Sequence, residues 1–222
     1  MATQKVTLGY WEIRGLVEPI RALLEHLQVP YEMKGYTTYE GWLEKKNDKS
    51  MAFPNLPYLV DGEKTITESD AILAQVCLKA NHPEMIGKPE DKVEFLQLNG
   101  IISDIFSSII GFCYSSKTQE EIKSKVEGYM ATYGSFKFAG LEKALGKREW
   151  VLGYLTCLDF ILAEIFERFE DMDKEIGTKI TADYPNMQAH VKRFLELPNI
   201  KAYRQSDRFK ARPHNGTMAA WH

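Results

Sequence analysis

Tyr10 closes a short β-rich run, Lys5–Tyr10, and is followed at once by the loop Trp11-Glu-Ile-Arg-Gly15. A phenol O–H at the end of a strand can donate to an anion while staying neutral, because phenols titrate only near about pH 10. If that anion is a thiolate, the bond favours ionised sulfur over thiol. Lowering a thiol pKa by about two units takes roughly 2.7 kcal/mol, within reach of one hydrogen bond to a charge plus helix-end dipoles. The plainer reading is a strand-end aromatic with its hydroxyl in water.

A second constellation lies further on. Phe53-Pro-Asn-Leu-Pro57-Tyr-Leu-Val60 is an apolar strand that begins at a proline. A cis Leu56–Pro57 bond is expected there, with the amide and carbonyl of Leu56 turned toward another extended backbone; such bonds occur in only about 5–6% of X-Pro linkages. Glu68-Ser69-Asp70 then heads a helical pattern. The Ser69 hydroxyl and the first unpaired helix N–H groups offer a place for a carboxylate, and Glu68 beside them a place for an ammonium. A small peptide with an α-amino-acid end fits that set. The alternative is a hairpin turn followed by an ordinary helix cap with an acidic neighbour.

Trp42 and Lys46 form an i, i+4 pair on a short helix. They either close over a ligand, by packing and ion pairing, or simply cover a surface helix. Asp104 sits among Ile101, Ile102, Ile105 and Phe106, where an unpaired buried carboxylate is costly; a cation or a wet interface should accompany it. Tyr114 ends the same helix. Both also read as ordinary helix-surface residues.

The elements that position these groups fall into two kinds. Up to about residue 80, strand and helix signals alternate: Lys5–Tyr10, a helix over Val17–Leu27, Tyr31–Tyr36, a helix at Tyr39–Lys46, a turn at Asn47–Ser50, a hairpin of Pro57–Val60 and Lys64–Ile66 about Asp61-Gly62, and a helix over Ser69–Lys79. That order predicts a thioredoxin-like α/β domain, a mixed sheet with helices on both faces. After a Pro- and Gly-containing linker (residues 80–89) no strand signal follows. Helices are expected over Glu90–Tyr114, Gln119–Leu145, from a Thr156–Asp159 capping box to about Phe169, Pro185–Leu195 and Asn199–Gln205, with a tail from Lys210. The expected division is residues 1–83 for the α/β domain and 90–222 for an all-α bundle.

Composition narrows the classes. The chain has 222 residues, 44% hydrophobic and 27% charged, with a formal net charge of −3, which argues against a nucleic-acid partner. No apolar stretch approaches the roughly 20 residues that span a bilayer, and no signal-peptide h-region is visible, so a cytoplasmic protein is expected. Three cysteines, Cys77, Cys113 and Cys157, lie in apolar helical patterns and read as buried small hydrophobes. The five histidines are scattered, so no metal site is expected.

Taken together, Tyr10-Trp-Glu-Ile-Arg-Gly15, Trp42-Leu-Glu-Lys-Lys46, Phe53-Pro-Asn-Leu-Pro-Tyr-Leu59, Ile66-Thr-Glu-Ser-Asp-Ala-Ile72, the Thr156–Asp159 box and Met218-Ala-Ala-Trp221 resemble a cytosolic glutathione transferase, most similar to the mu class. The resemblance implies an enzyme that conjugates reduced glutathione, as co-substrate, to small hydrophobic electrophiles, with no prosthetic group. It implies Tyr10 as the catalytic group on the thiolate. Tyr10, Trp11, Leu16, Trp42, Lys46, Asn55, Leu56, Pro57, Glu68 and Ser69 would hold glutathione, and Asp104 would reach it from a partner subunit. Leu16, Tyr114, Gly216 and Thr217 would line the electrophile site. Phe53 matches an aromatic that inserts into the neighbouring subunit, which implies a homodimer.

Some positions depart from the family pattern. The segment between Tyr36 and Trp42 is short for the mu class, Glu68 stands where those sequences usually carry Gln, and Gly216 lacks a hydroxyl often found there. Ala74 and Leu78 replace arginines usual at the subunit contact, implying a more apolar one. Two other functions fit the same fold: a non-catalytic carrier of apolar ligands, and a glutathione-dependent isomerase.

Overall fold

The computed structural model describes residues 4–47, 49, 51–209 and 212–222. Its contacts divide the chain into two units, residues 1–83 with 198–213, and residues 84–197 with 214–222.

In the first unit, β1 (Val6–Trp11) leads through α1 (Glu18–His26) to β2 (Tyr31–Tyr36), which lies parallel to it. After α2 (Tyr39–Asn47) come β3 (Tyr58–Asp61), β4 (Lys64–Thr67) and α3 (Ser69–Lys79). The sheet order is β2-β1-β3-β4, with β1–β3 and β3–β4 antiparallel. The strands follow the sequence expectation closely. Val6 and Leu8 of β1, Ile20, Leu23 and Leu24 of α1, and Ile72, Leu73 and Val76 of α3 are all buried, and α1 packs on α3. On β1, Gly9 lies opposite Tyr58, and any side chain there would run into the Tyr58 ring. The turn expected at 47–50 lies partly outside the described residues.

In the second unit, α4 (Lys92–Ser115), α5 (Gln119–Tyr129), α6 (Ser135–Leu145), α7 (Cys157–Glu175) and α8 (Pro185–Leu195) make the bundle. Val17-to-Leu27-style periodicity gave these helices from sequence, with one difference. Gln119–Leu145 is not one α-helix: a π-helical turn, Met130–Gly134, separates α5 from α6. The Thr132 hydroxyl donates there to the carbonyls of Gly128 and Tyr129, and a Cβ on Gly134 would lie 2.6 Å from both Met130 Sδ and the Tyr129 ring. Helix α7 also runs past the expected Phe169, because Met172 is still fully buried and the apolar stripe has not ended.

A second difference concerns α4. The segment Pro83–Ser115 is, with a mean hydropathy of 1.4, long and apolar enough by length and composition to cross a membrane. A stretch of that kind was not expected from the sequence, where Asn99, Ser103 and Asp104 interrupt the apolar residues. In the bundle the stripe Phe95, Leu98, Ile102, Ile105 and Ile109 of α4 is buried, and α4 packs on α7.

Helix α9 (Pro198–Arg204) belongs with the first unit, not with the bundle region 84–197. The expected single boundary between residues 83 and 90 therefore misses this return of the chain. Polar contacts explain it. The Tyr203 hydroxyl donates to Glu18 Oε1 at 3.0 Å and Asn199 Nδ2 donates to the His26 carbonyl at 2.7 Å, both on α1.

Candidate active site

Strand β1 ends in a loop built around one contact. The Leu16 N–H donates to the Tyr10 hydroxyl oxygen at 3.1 Å, and Tyr10 is only 6% exposed. The loop must fold back under the ring for this to happen, and Gly15 allows it. Its φ is +46°, and a Cβ there would lie 2.6 Å from Tyr10 Cε1 and 2.7 Å from its hydroxyl. Only glycine takes that backbone readily and leaves the room. A phenol oxygen that accepts an N–H has its own O–H polarised, which makes it a stronger donor.

A buried strut supports the loop from below. Arg21 Nη1 donates to the Ile13 carbonyl and to Glu18 Oε2, both at 2.9 Å. Arg21 and Glu18 are 1% and 2% exposed, so the pair is desolvated and depends on its geometry. Burial first, then the Glu18 carboxylate, push the Tyr203 phenol well up from the usual range, which keeps it a neutral donor. Sequence reasoning passed over Glu18 and Arg21. Their i, i+3 spacing inside an apolar helix was the available signal.

The second constellation is brought together where the chain enters β3 and leaves β4. The Leu56–Pro57 bond is cis. Asn55 Nδ2 donates to Glu68 Oε1 at 2.9 Å, and Asn55 Oδ1 takes the Leu56 N–H at 2.9 Å. The Leu56 amide is taken by its neighbour's side chain, so a peptide ligand using it must replace Asn55. Glu68, not Ser69, is the N-cap of α3. It has φ 71° and ψ 122°, a conformation that costs a non-glycine residue about 1–3 kcal/mol. Ser69 is the first residue of the helix and half-buried.

Trp42 and Lys46 are not a matched pair. Trp42 is 6% exposed, stacked on Tyr58 at 6.3 Å and edge-on to Tyr36 at 5.7 Å, while Lys46 is exposed. Its neighbour Lys45 lies 5.9 Å over the Tyr58 ring. Trp11, half-buried, joins this cluster edge-on to Tyr36, and the Tyr36 and Tyr58 hydroxyls share a 2.9 Å hydrogen bond.

In the second unit, Asp104 is exposed and pairs with Lys137 at 3.1 Å, so its expected cation is there. The Tyr114 hydroxyl accepts the Gly216 N–H at 2.8 Å. Thr217 follows, exposed. Cys77, Cys113 and Cys157 are buried and in no disulfide; burial, offset in part by Arg168, pushes the Cys113 thiol up. Among the described residues no group of three or more His, Cys, Asp or Glu is arranged to hold a metal ion.

The chain is similar to known proteins along nearly its whole length. Residues 6–76 match the glutathione S-transferase N-terminal domain and residues 103–207 the C-terminal domain. The chain is 36% identical to human glutathione S-transferase Mu 3, over 97% of this chain and 95% of that protein. It is 35% identical to mouse glutathione S-transferase Mu 5, over 100% and 97%. Among solved structures, glutathione S-transferase Blo t 8 superposes with a TM-score of 0.77 at 30% identity, covering 96% of this chain and 98% of that one. The Pi-class enzyme of Onchocerca volvulus gives 0.79 at 23% identity, over 99% and 100%, a likeness of fold. With both domain models matched and relatives aligned along nearly its whole length, the chain belongs to the glutathione S-transferase family.

Proposed function

We propose that the chain is a glutathione transferase whose Tyr10 holds the bound cosubstrate as thiolate. The glutathione thiol loses its proton to solvent, the Tyr10 O–H donates to the sulfur anion, and that sulfur forms a new bond to the electrophilic carbon of a small hydrophobic substrate. Any leaving group departs with the bonding pair. The observation that supports this most is the Leu16 N–H on the Tyr10 oxygen, which aims the phenol and strengthens its donation. One hydrogen bond to a charge contributes about 1.5–3 kcal/mol, enough for about two units of thiol acidity.

In this reading Glu68 and Ser69 hold the γ-glutamyl end, Leu56 beside Pro57 pairs with the cysteinyl backbone, and Trp11, Trp42, Lys46 and Asn55 hold the remaining polar groups. Trp42 acts by bracing Tyr58, being buried. Leu16, Tyr114, Gly216 and Thr217 face the electrophile. No prosthetic group takes part. We further propose a homodimer in which Asp104 serves the partner's glutathione. Phe53, Leu78, Val93, Leu96, Tyr133 and Phe136 are large apolar side chains left 53–82% exposed, which a partner subunit would cover.

An ultraviolet titration of the bound thiol, with turnover of an aryl halide, tests the reading. Expected is a thiol midpoint well below that of free glutathione, and a Tyr10→Phe variant that still binds glutathione but loses most turnover. A normal midpoint in the unaltered protein would leave a carrier of the same fold.

A further inference from the structure

The last residues of the chain are clasped into the second unit by a buried polar network. Arg168 of α7 is fully buried, and Asn215 is 1% exposed. Arg168 Nη1 donates to Asn215 Oδ1 at 2.9 Å, and Nη2 lies 3.4 Å from the His214 carbonyl and 3.5 Å from Glu164 Oε1. Asn215 Nδ2 in turn donates to the Trp221 carbonyl at 3.1 Å, so one amide joins both ends of the tail segment. Two further anchors hold that segment. The Trp221 indole, 1% exposed, donates to Glu175 at 2.7 Å, and the His214 ring stacks on it at 4.9 Å while meeting Asp171 at 2.9 Å.

Between these anchors the tail delivers two amides to consecutive residues at the end of α4. Ala220 N–H reaches the Cys113 carbonyl at 3.0 Å, and Gly216 N–H reaches the Tyr114 hydroxyl at 2.8 Å. The Gly216 amide belongs to the peptide that starts at Asn215. Fixing the Asn215 side chain and the His214 carbonyl therefore fixes the direction of that N–H. A planar guanidinium contacts both at once, which an ammonium on a flexible stem does not.

We propose that Arg168 is a positioning residue for the electrophile site, acting through Asn215 on the Gly216 amide and so on the direction of the Tyr114 O–H. It has no exposed surface and touches no substrate. The inference rests on the reading that Tyr114 and Gly216 face the electrophile, and it adds a determinant on α7 that neither motif nor pocket marks.

The test is a double-mutant cycle in the full-length protein. Asn215→Ala cuts the link while leaving Arg168 beside Glu164, and so is the gentler variant. Arg168→Met removes the fork itself, and Arg168→Lys tests whether charge alone suffices. Expected for Asn215→Ala and Arg168→Met is a fall of about fivefold in kcat/KM for the electrophile, with KM for glutathione and the thiol midpoint unchanged. Arg168→Lys should not restore the loss. In a Tyr114→Phe background Asn215→Ala should have no further effect, because no hydroxyl remains to be aimed. If Tyr114→Phe alters electrophile kinetics but Asn215→Ala subtracts the same factor with and without the hydroxyl, the positioning role is overturned and the site reading stands. If Tyr114→Phe itself changes nothing, the site reading fails, and the inference with it. Should Arg168→Met not fold, Asn215→Ala alone decides.

Discussion

Asn55 donates its side-chain amide to the Glu68 carboxylate at 2.9 Å, tying the segment before β3 to the N-cap of α3. The same side chain takes the Leu56 N–H. Its two bonds have opposite consequences for a peptide ligand: one orients the carboxylate, the other competes for the backbone donor. A bond to an ionised partner contributes about 1.5–3 kcal/mol against about 1 for a neutral one, so orientation outweighs competition. Both groups are exposed, which shrinks the margin but not its sign. Asn55→Ala should raise KM for glutathione about threefold to fivefold, consistent with losing one bond of this kind. The thiol midpoint should not move, since Tyr10 is untouched. A lowered KM in steady-state kinetics would show that competition wins.

Gly15 offers a sharper test of the loop. A methyl group there meets the Tyr10 hydroxyl at 2.7 Å and sits on a backbone with φ +46°. Gly15→Ala should cost about 1–2 kcal/mol in urea unfolding from the backbone alone. Displacement of the phenol should lower kcat by more than tenfold, as misplacements near 1 Å do. Glutathione affinity, which the proposed function assigns to the Glu68 edge, should be nearly unchanged. Wild-type turnover in Gly15→Ala would mean that Tyr10 need not sit where the loop places it.

The α/β layout, the cis bond, the capping box and the long bundle helices were legible in sequence because each has a local signature: alternation, a proline at a strand start, or an apolar stripe. The π turn was not, since Met130–Gly134 is set by the crowding of Gly134 against Met130 and Tyr129, contacts that no period records. The placement of α9 was missed for a related reason: Tyr203 finds Glu18 across 185 positions of chain. At the candidate site, Tyr10 and Glu68 were singled out by type and position. Asn55 as a bridge, and Trp42 turned inward to Tyr58, depend on rotamers that spacing alone leaves open.

Stability at low pH should report Asp173, near the end of α7. Burial alone would raise its carboxyl, but donors from Thr178, Ile180 and Thr181 outweigh that and hold it below the ordinary value of 3.8. The Thr181 N–H and hydroxyl lie 2.8 and 2.7 Å from Oδ2. A folded-state pKa lowered in this way gives stability that is complete above the unfolded-state value and is lost as pH falls through the folded one. Asp173→Ala should therefore be less stable than wild type by about 2 kcal/mol at neutral pH. The gap should narrow below about pH 4, where the unfolded chain's carboxyl takes up its proton first, and close as pH falls further through the lowered folded-state value. Urea midpoints measured from pH 7 down to 3 give both quantities, and a gap independent of pH would remove the carboxylate from the explanation.

Asp159 carries the largest expected single-residue loss. It is fully buried and accepts four donors: the Thr156 N–H at 2.8 Å and hydroxyl at 3.0 Å on one oxygen, and the Val151 N–H and His190 Nε2, each at 3.0 Å, on the other. These bonds tie the start of α7 to the preceding loop and to α8, so the carboxylate is a joint between elements as well as a helix cap. Asp159→Ala strands several buried donors at once and should destabilise the protein by about 3–5 kcal/mol, against about 1 for an exposed cap. Asp159→Asn keeps the shape but offers one acceptor oxygen for two sets of donors, so it should fall between. Thr156→Ala removes only the hydroxyl and should cost about 1 kcal/mol. The order Thr156→Ala, Asp159→Asn, Asp159→Ala in chemical denaturation separates a joint from a cap, because a residue that acted only as a cap would make the first and last variants equal.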